Sequence, residues 1–172
     1  TISEADAITA IADMDGRLLI FEKSRIYAMS GDGPTNSGTQ DTFVKPQLIT
    51  SDVGCSNTNS IVSTPQGLMF QSTKGIYLLD RSLKTEYLGA DVELHNSLTI
   101  KGATLVQDSN QVRFLTNDDK TLVYDYFYNK WATFTNHYGN GSVLWQGVYT
   151  YLREDGEVYK ESTDYLDDPR SI

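Results

Sequence analysis

Gly67-Leu68-Met69-Phe70-Gln71-Ser72-Thr73-Lys74-Gly75-Ile76-Tyr77-Leu78-Leu79-Asp80-Arg81 is the stretch whose reading decides the fold. Two short apolar runs, Leu68-Met69-Phe70 and Ile76-Tyr77-Leu78-Leu79, flank a polar turn at 72–75. Runs this short, β-branched and aromatic, with glycine at the bend, specify a β-hairpin. The dipeptide of an apolar residue followed by tyrosine then recurs outward, at Ile26-Tyr27, Val123-Tyr124 and Val158-Tyr159. The four tyrosines are 50, 47 and 35 residues apart, which brackets the roughly 40 to 50 residues of a propeller blade.

Each dipeptide closes a hairpin. Leu18-Leu19-Ile20-Phe21 precedes the turn at 23–24, Val112 opens a run before the turn at 117–120, and Val148 opens one before Glu154-Asp155-Gly156. Another candidate strand stands before each hairpin, at 8–12, 60–63, 103–107 and 142–145, and a fourth strand follows in three units, at 43–49, 85–88 and 131–134. The reading is all-β: a β-propeller, or a roughly four-blade portion of one, with antiparallel blades of three to four strands at about 8–50, 60–89, 103–135 and 142–160. An irregular β-sandwich is the competing arrangement. A lone small sheet cannot cover both of its faces, and stacking sheets around an axis removes that exposure.

Two segments interrupt the repeat. Residues 31–42, with Gly31, Asp32, Gly33, Pro34, Asn36, Ser37 and Gly38, read as an exposed inserted loop, and 90–98 as a turn of helix between blades. Residues 154–172 hold seven acidic and two basic residues, so 161–172 is expected to leave the fold as an acidic exit segment. The chain begins without methionine and is already patterned by Ile8, which suggests a fragment of a longer polypeptide.

Composition agrees with this class. The 172 residues include 11 Tyr, 6 Phe and 2 Trp among 13 Gly and 4 Pro, favouring pleated surfaces and tight turns. The 23 acidic against 14 basic residues give a formal charge of −9, which argues against gripping nucleic acid by its phosphates or docking on an anionic membrane. No apolar run reaches the roughly 18 residues of a spanning helix. One cysteine, Cys55, excludes an intrachain disulfide.

Leu122-Val123-Tyr124-Asp125-Tyr126-Phe127-Tyr128-Asn129-Lys130-Trp131 resembles the ending of a kelch-type blade, with Tyr124 and Trp131 across a four-residue turn, although the paired glycines of kelch blades are absent. A broader resemblance covers about 18–134, some two thirds of the chain. Ile26-Tyr27-Ala28-Met29-Ser30-Gly31-Asp32-Gly33-Pro34, Pro46-Gln47-Leu48-Ile49, Ser51-Asp52-Val53-Gly54-Cys55, Gly67-Leu68-Met69-Phe70 and Lys74-Gly75-Ile76-Tyr77-Leu78-Leu79-Asp80-Arg81 are similar to propeller-type structural proteins of short-tailed bacteriophage virions, the tail nozzle, tail tubular and packaged-DNA-stabilising class. That resemblance implies a virion protein made in the host cytoplasm. It would form a homo-oligomeric ring with other tail or portal-adaptor proteins, through which DNA is retained and ejected without sequence-specific binding or membrane insertion. An acidic wall suits such a conduit, because it repels the phosphates that pass.

Catalytic signatures are sparse. His95 and His137 have no Cys or acidic partner at ligand spacing. Asp13-Met14-Asp15-Gly16 opens like a calcium loop but lacks the later ligands, and reads as a β-turn. No nucleophile elbow or phosphate-binding loop occurs, so no catalytic residue, metal or cofactor is expected. Tyr27, Tyr77, Tyr124, Tyr159 and Trp131 are expected to be structural blade positions, and Tyr128, Trp145, Asp32 and Asn36 a contact surface. A carbohydrate- or receptor-binding module is the alternative function, since Tyr and Trp stack on sugar rings. A glycosidase using an unassigned Asp or Glu pair is the third.

Overall fold

Gly67 and Gly75 bracket the decisive hairpin and both take positive φ (146° and 118°). At Gly67 a side chain has no room, because a Cβ would lie 2.1 Å from the Leu79 carbonyl oxygen. Between them Leu68 pairs with Leu79, Phe70 with Tyr77 and Ser72 with Gly75, antiparallel and without a slip. Elsewhere the turns are tightened by left-handed residues, as at Asp15-Gly16 (φ 53° and 72°) and Gln146-Gly147 (φ 50° and 80°), the conformation of two-residue hairpin turns. Asp13-Met14-Asp15-Gly16 is thus the end of a strand and its turn.

The computed structural model describes residues 7–33, 36–37, 43–135 and 137–161. Most of the 31–42 loop and all of 162–172 lie outside them. The described residues are all-β, with four antiparallel sheets of three or four strands. Sheet 1 is β1 (Ile8–Met14), β2 (Arg17–Glu22), β3 (Ile26–Ser30) and β4 (Gln47–Thr50) in that order. Sheet 2 is β5 (Asn57–Thr64), β6 (Gly67–Ser72), β7 (Gly75–Asp80) and β8 (Thr85–Tyr87). Sheet 3 is β9 (Ile100–Val106), β10 (Gln111–Thr116), β11 (Thr121–Asp125) and β12 (Lys130–Phe134), and sheet 4 is β13 (Gly141–Trp145), β14 (Val148–Leu152) and β15 (Val158–Lys160). Every sheet is a meander, each strand pairing with its sequence neighbour.

One expected element differs, and another is found in a tighter form. The strand foreseen from Phe43 begins at Gln47. Pro46 has no N–H for a ladder and restricts the residue before it, so the segment before Gln47 is held by a bond of Val44 to the Ser30 carbonyl (2.8 Å) rather than by a ladder. The helical segment at 90–98 is a 3-10 helix, Gly89–His95, broken at Val92 (φ −120°). A β-branched residue there disfavours a continuous turn.

The chain divides into two compact units between Ile100 and Lys101. In the first, sheets 1 and 2 enclose one apolar core that includes Met14, Leu19, Phe21, Ile26, Phe70 and Leu79. The Phe21 and Phe70 rings lie 5.3 Å apart and tilted, and burying each ring contributes about 2–3 kcal/mol. Thr9 ties the sheets at one edge by donating to the Cys55 carbonyl (2.6 Å). The Gln71 side chain then holds the exit of the unit, accepting from the Ile100 N–H (3.2 Å) and from Asn57 Nδ2 (3.2 Å). In the second unit, Val106 of sheet 3 packs with Tyr149 and Tyr151 of sheet 4, and Thr104 donates to the Ser142 carbonyl (3.1 Å).

Candidate functional site

Tyr27, Tyr77 and Tyr159 occupy the same place in their sheets. Each pairs with the second-strand residue two ladder steps from the hairpin turn: Ile20, Phe70 and Tyr151 respectively. The same step in sheet 3 pairs Phe114 with Leu122, and Tyr124 stands two residues farther on, opposite Val112. Its side chain still shares the Leu122 face, because strand side chains alternate. Tyr124 pairs with Trp131 across the turn (ring centroids 4.9 Å) and donates from its hydroxyl to Asn129 Oδ1 (3.0 Å). These five aromatics are buried or half-buried.

The β11–β12 turn projects a different kind of residue. Asp125 Oδ1 accepts from the backbone N–H groups of Phe127 (3.0 Å) and Tyr128 (2.9 Å), and Asn129 closes the turn at φ 53°. This side chain-to-backbone bracing holds Phe127 and Tyr128 outward, edge to face at 4.9 Å and 68% and 70% exposed. Trp145, the last residue of β13, is 65% exposed beside the Gln146-Gly147 turn. β9 and β13 run alongside each other in one direction, since Lys101 bonds Asn140 (3.1 Å), Thr104 bonds Ser142, and Leu144 packs against the cluster that holds Val106. The β11–β12 and β13–β14 turns therefore belong to one end of the second unit. Asp32 and Asn36 lie in the first unit, exposed, in the connection from β3 to β4.

The first unit has a cleft of about 310 Å³ lined by Asp13, Arg17, Leu18, Met29 and Phe43. Arg17 is the one arginine among the described residues without a carboxylate partner, the others being paired with Glu22, Asp15, Glu161 and Asp155. At the same end Arg81 pairs with Asp15 and donates to the Pro65 carbonyl (2.8 Å), linking sheets 1 and 2.

A charged cluster that the sequence did not single out lies inside the second unit. Arg113 is buried, pairs with Glu161 (2.8 Å), donates to Gln111 Oε1 (3.1 and 3.2 Å) and stacks its guanidinium over Tyr149 (4.5 Å) and Phe134 (5.4 Å). His137 sits against Phe134 and Tyr151 (both 5.4 Å). Burial first, and the Arg113 charge second, hold the His137 imidazole below its ordinary value, with Glu161 acting the other way. Burial pushes the Tyr149 phenol up to about 12. Cys55 is fully buried, and burial raises its thiol while it donates to the Asn57 carbonyl (3.2 Å), the environment of an unreactive cysteine.

Among the described residues no group of three His, Cys, Asp or Glu is placed to hold a metal ion, and no helix is long and apolar enough to cross a membrane. No protein-family model and no curated protein matches the sequence. Among solved structures, the chain is similar to the computationally designed Ika4 protein, with a TM-score of 0.51 and 16% identity over 93% of each chain. It is also similar to the computationally designed Ika8 protein, with a TM-score of 0.51 and 17% identity over 90% of this chain and 45% of that one. A third likeness is to the hemopexin fold protein CP4 from cow pea, with a TM-score of 0.40 and 11% identity over 90% and 91%. The chain thus spans all but a margin of Ika4 and less than half of Ika8, and at these identities the likeness is one of fold alone.

Proposed function

We propose that the four sheets are consecutive blades of a β-propeller and that the chain works by contact rather than by chemistry, as a structural component of a phage tail. In that role it forms part of a nozzle or tail-tube ring through which DNA is retained and ejected. The blade reading is supported by burial on both faces of the inner strands: all six residues of β6 and five of the six in β10 are buried. Strands covered on both sides are what stacked sheets produce. The virion setting rests on the resemblance carried by residues 18–134, with the net charge of −9 in keeping with a wall that DNA slides past.

The observation that carries a contact function is the large apolar surface left open at Phe127, Tyr128 and Trp145. Exposed aromatics of this size mark interaction sites far more than isolated surface leucines do. Co-expression with the tail and portal-adaptor proteins of the same particle tests the proposal. The expected product is a ring-sized complex that includes this chain, and a chain that stays monomeric and joins no particle overturns it.

One observation favours a second reading, a carbohydrate- or receptor-binding module: Tyr128 and Trp145 are both largely exposed at turns, and Asp125 braces the turn that carries Tyr128. A glycan array separates the two. Binding that disappears in Tyr128→Ala and Trp145→Ala supports the module, and a blank array supports the assembly role.

A further inference from the structure

Arg17 is half-buried, yet its side chain makes no ion pair or hydrogen bond among the described residues. None of its nitrogens is shut away from water, so the guanidinium opens onto the surface. A guanidinium that gives up part of its hydration and meets no acceptor is uncommon in a folded chain, and more so in one with 23 acidic residues. The strand register shows where it opens. Arg17 stands opposite Ser30, and Leu19 opposite Ala28, which pairs in turn with Gln47. Because side chains alternate along a strand, Arg17, Ser30, Ala28 and Gln47 share the face of sheet 1 that carries Leu19 toward sheet 2.

A second cleft, of about 260 Å³, lies there, lined by Arg17, Ala28, Ser30, Val44, Gln47 and Leu83. It follows from the end of the β3–β4 ladder at Ala28 and Gln47. Pro46 stops the pairing, and past it Val44 rejoins β3 at the Ser30 carbonyl. Leu83, from the β7–β8 turn, supplies the wall on the side of sheet 2. It is held at φ 65°, a left-handed conformation costly for leucine. Its N–H donates to the Asp80 carbonyl (2.9 Å), and Asp80 Oδ1 accepts from Ser82 (2.7 Å) and from the Lys84 N–H (2.8 Å), which fixes the turn. The carboxylates at this end are engaged elsewhere, Asp15 with Arg81 and Asp80 within its own turn. Asp13 stands opposite Leu18, on the other face of sheet 1. Arg17 is therefore the one charged side chain that lines this cleft.

We propose that this cleft binds a carboxylate carried on an apolar group about the size of one amino-acid residue. Arg17 offers a planar fork of donors that matches the two oxygens of a carboxylate. The Ser30 hydroxyl and the Gln47 amide, neither bonded to a described residue, add hydrogen bonds at the rim. Ala28, Val44 and Leu83 receive the apolar part. A phosphate carries nearly two negative charges and is matched by several cations, whereas a single guanidinium among apolar walls matches a monoanion. The volume lies just below the range of about 300 to 1,000 Å³ typical of drug-sized ligands, which fits a short branched side chain with its carboxylate. A free branched acid and the C-terminal residue of a peptide share this chemistry. The site does not depend on the phage-tail reading, and either stands without the other.

The test titrates the full chain with 4-methylpentanoate and with acetyl-glycyl-glycyl-leucine, each beside its neutral amide, and follows proton–nitrogen correlation spectra. Saturable shifts are expected at Arg17, Ser30, Gln47 and Leu83, with a Kd of about 1 mM for the free acid, the strength that so few heavy atoms reach. The amides are expected to bind about tenfold more weakly, since they forfeit the charge-assisted pair. Arg17→Met is expected to weaken binding by about tenfold or more, and Arg17→Lys, which keeps the charge but not the fork, by less. Gln47→Ala, at an exposed position that a change of side chain leaves folded, is expected to weaken it by about threefold. Binding of the tripeptide alone assigns the site to chain termini and binding of the free acid alone to small acids, and either result upholds the inference. Amides that bind as tightly as the acids overturn it, as does undiminished binding by folded Arg17→Met and Gln47→Ala. Shifts confined to the second unit, or no saturable shift up to about 20 mM, well above the expected Kd, overturn it as well.

Discussion

Arg113 and Glu161 are partners of unequal freedom. The Arg113 side chain is 4% exposed, sealed between the Tyr149 and Phe134 rings, while that of Glu161 is 22% exposed at the end of β15. Removing either partner therefore has a different cost. In Glu161→Ala the guanidinium stays buried with only Gln111 and the two rings to compensate, and a stranded buried charge costs about 2–4 kcal/mol. In Arg113→Met the carboxylate turns to water and the thioether fills the slot between the rings, so the loss is about 1 kcal/mol. Urea denaturation of the two variants checks the order. An Arg113→Met variant less stable than Glu161→Ala would mean that stacking, not charge pairing, dominates here. Nothing in the sequence points to this pair, since 48 residues separate its members and neither belongs to a motif.

At the scale of the element, the hairpins depend on backbone conformations that only some residues adopt, and two glycines separate the causes. Gly16 has φ 72° with open space around its Cα, so Gly16→Ala carries only the left-handed penalty, about 1 kcal/mol. Gly67 adds a clash with the Leu79 carbonyl in the middle of sheet 2, and Gly67→Ala is expected to cost about 3 kcal/mol or more, because the β6–β7 ladder must open to admit the methyl group. Thermal melts of both variants read the difference. These hairpins were legible in the sequence because short apolar runs and turn residues are local signals: Leu68-Met69-Phe70 before Ile76-Tyr77 is enough to pair them. The start of β4 was less so, since Val44 looks strand-forming until Pro46 removes the ladder donor. Register was legible only in part. The recurring apolar-Tyr dipeptide locates Tyr27, Tyr77 and Tyr159 in one position, but in β11 the dipeptide stands two residues farther from the turn, opposite Val112. Facing was not legible at all. Trp145 and Tyr128 were expected on the surface for their type, yet what leaves Trp145 open is its place on the outer face of sheet 4, a matter of which sheets pack together.

For the whole molecule, charge and burial pull stability in opposite directions as pH falls, and the sign of the slope tells which prevails. The net charge of −9 at neutrality declines toward zero near the sequence pI of about 4.5, which relieves self-repulsion and by itself raises stability. His137 works against this. Its folded pKa is lowered, mainly by burial, with Arg113 adding to the effect and Glu161 opposing it. The unfolded chain therefore takes up the proton first, at an ordinary histidine value of about 6.5. The stability contributed by the neutral ring is complete above that value and is lost as pH drops from there toward the folded pKa, where the two states bind protons equally. Asp80 adds a second, more acidic loss. Its carboxyl is held low mainly by the Lys84 backbone N–H, so its contribution is present above the usual carboxylate range and disappears as pH falls through its folded value. Stability measured by denaturant between pH 7.5 and 5 is expected to fall in the wild type, and in His137→Phe, which keeps a ring against Phe134 and Tyr151, to stay level or rise as repulsion eases. Parallel slopes for the two proteins would show that His137 titrates as freely in the folded chain as in the unfolded one, and the buried cluster around Arg113 would then have to be open to water.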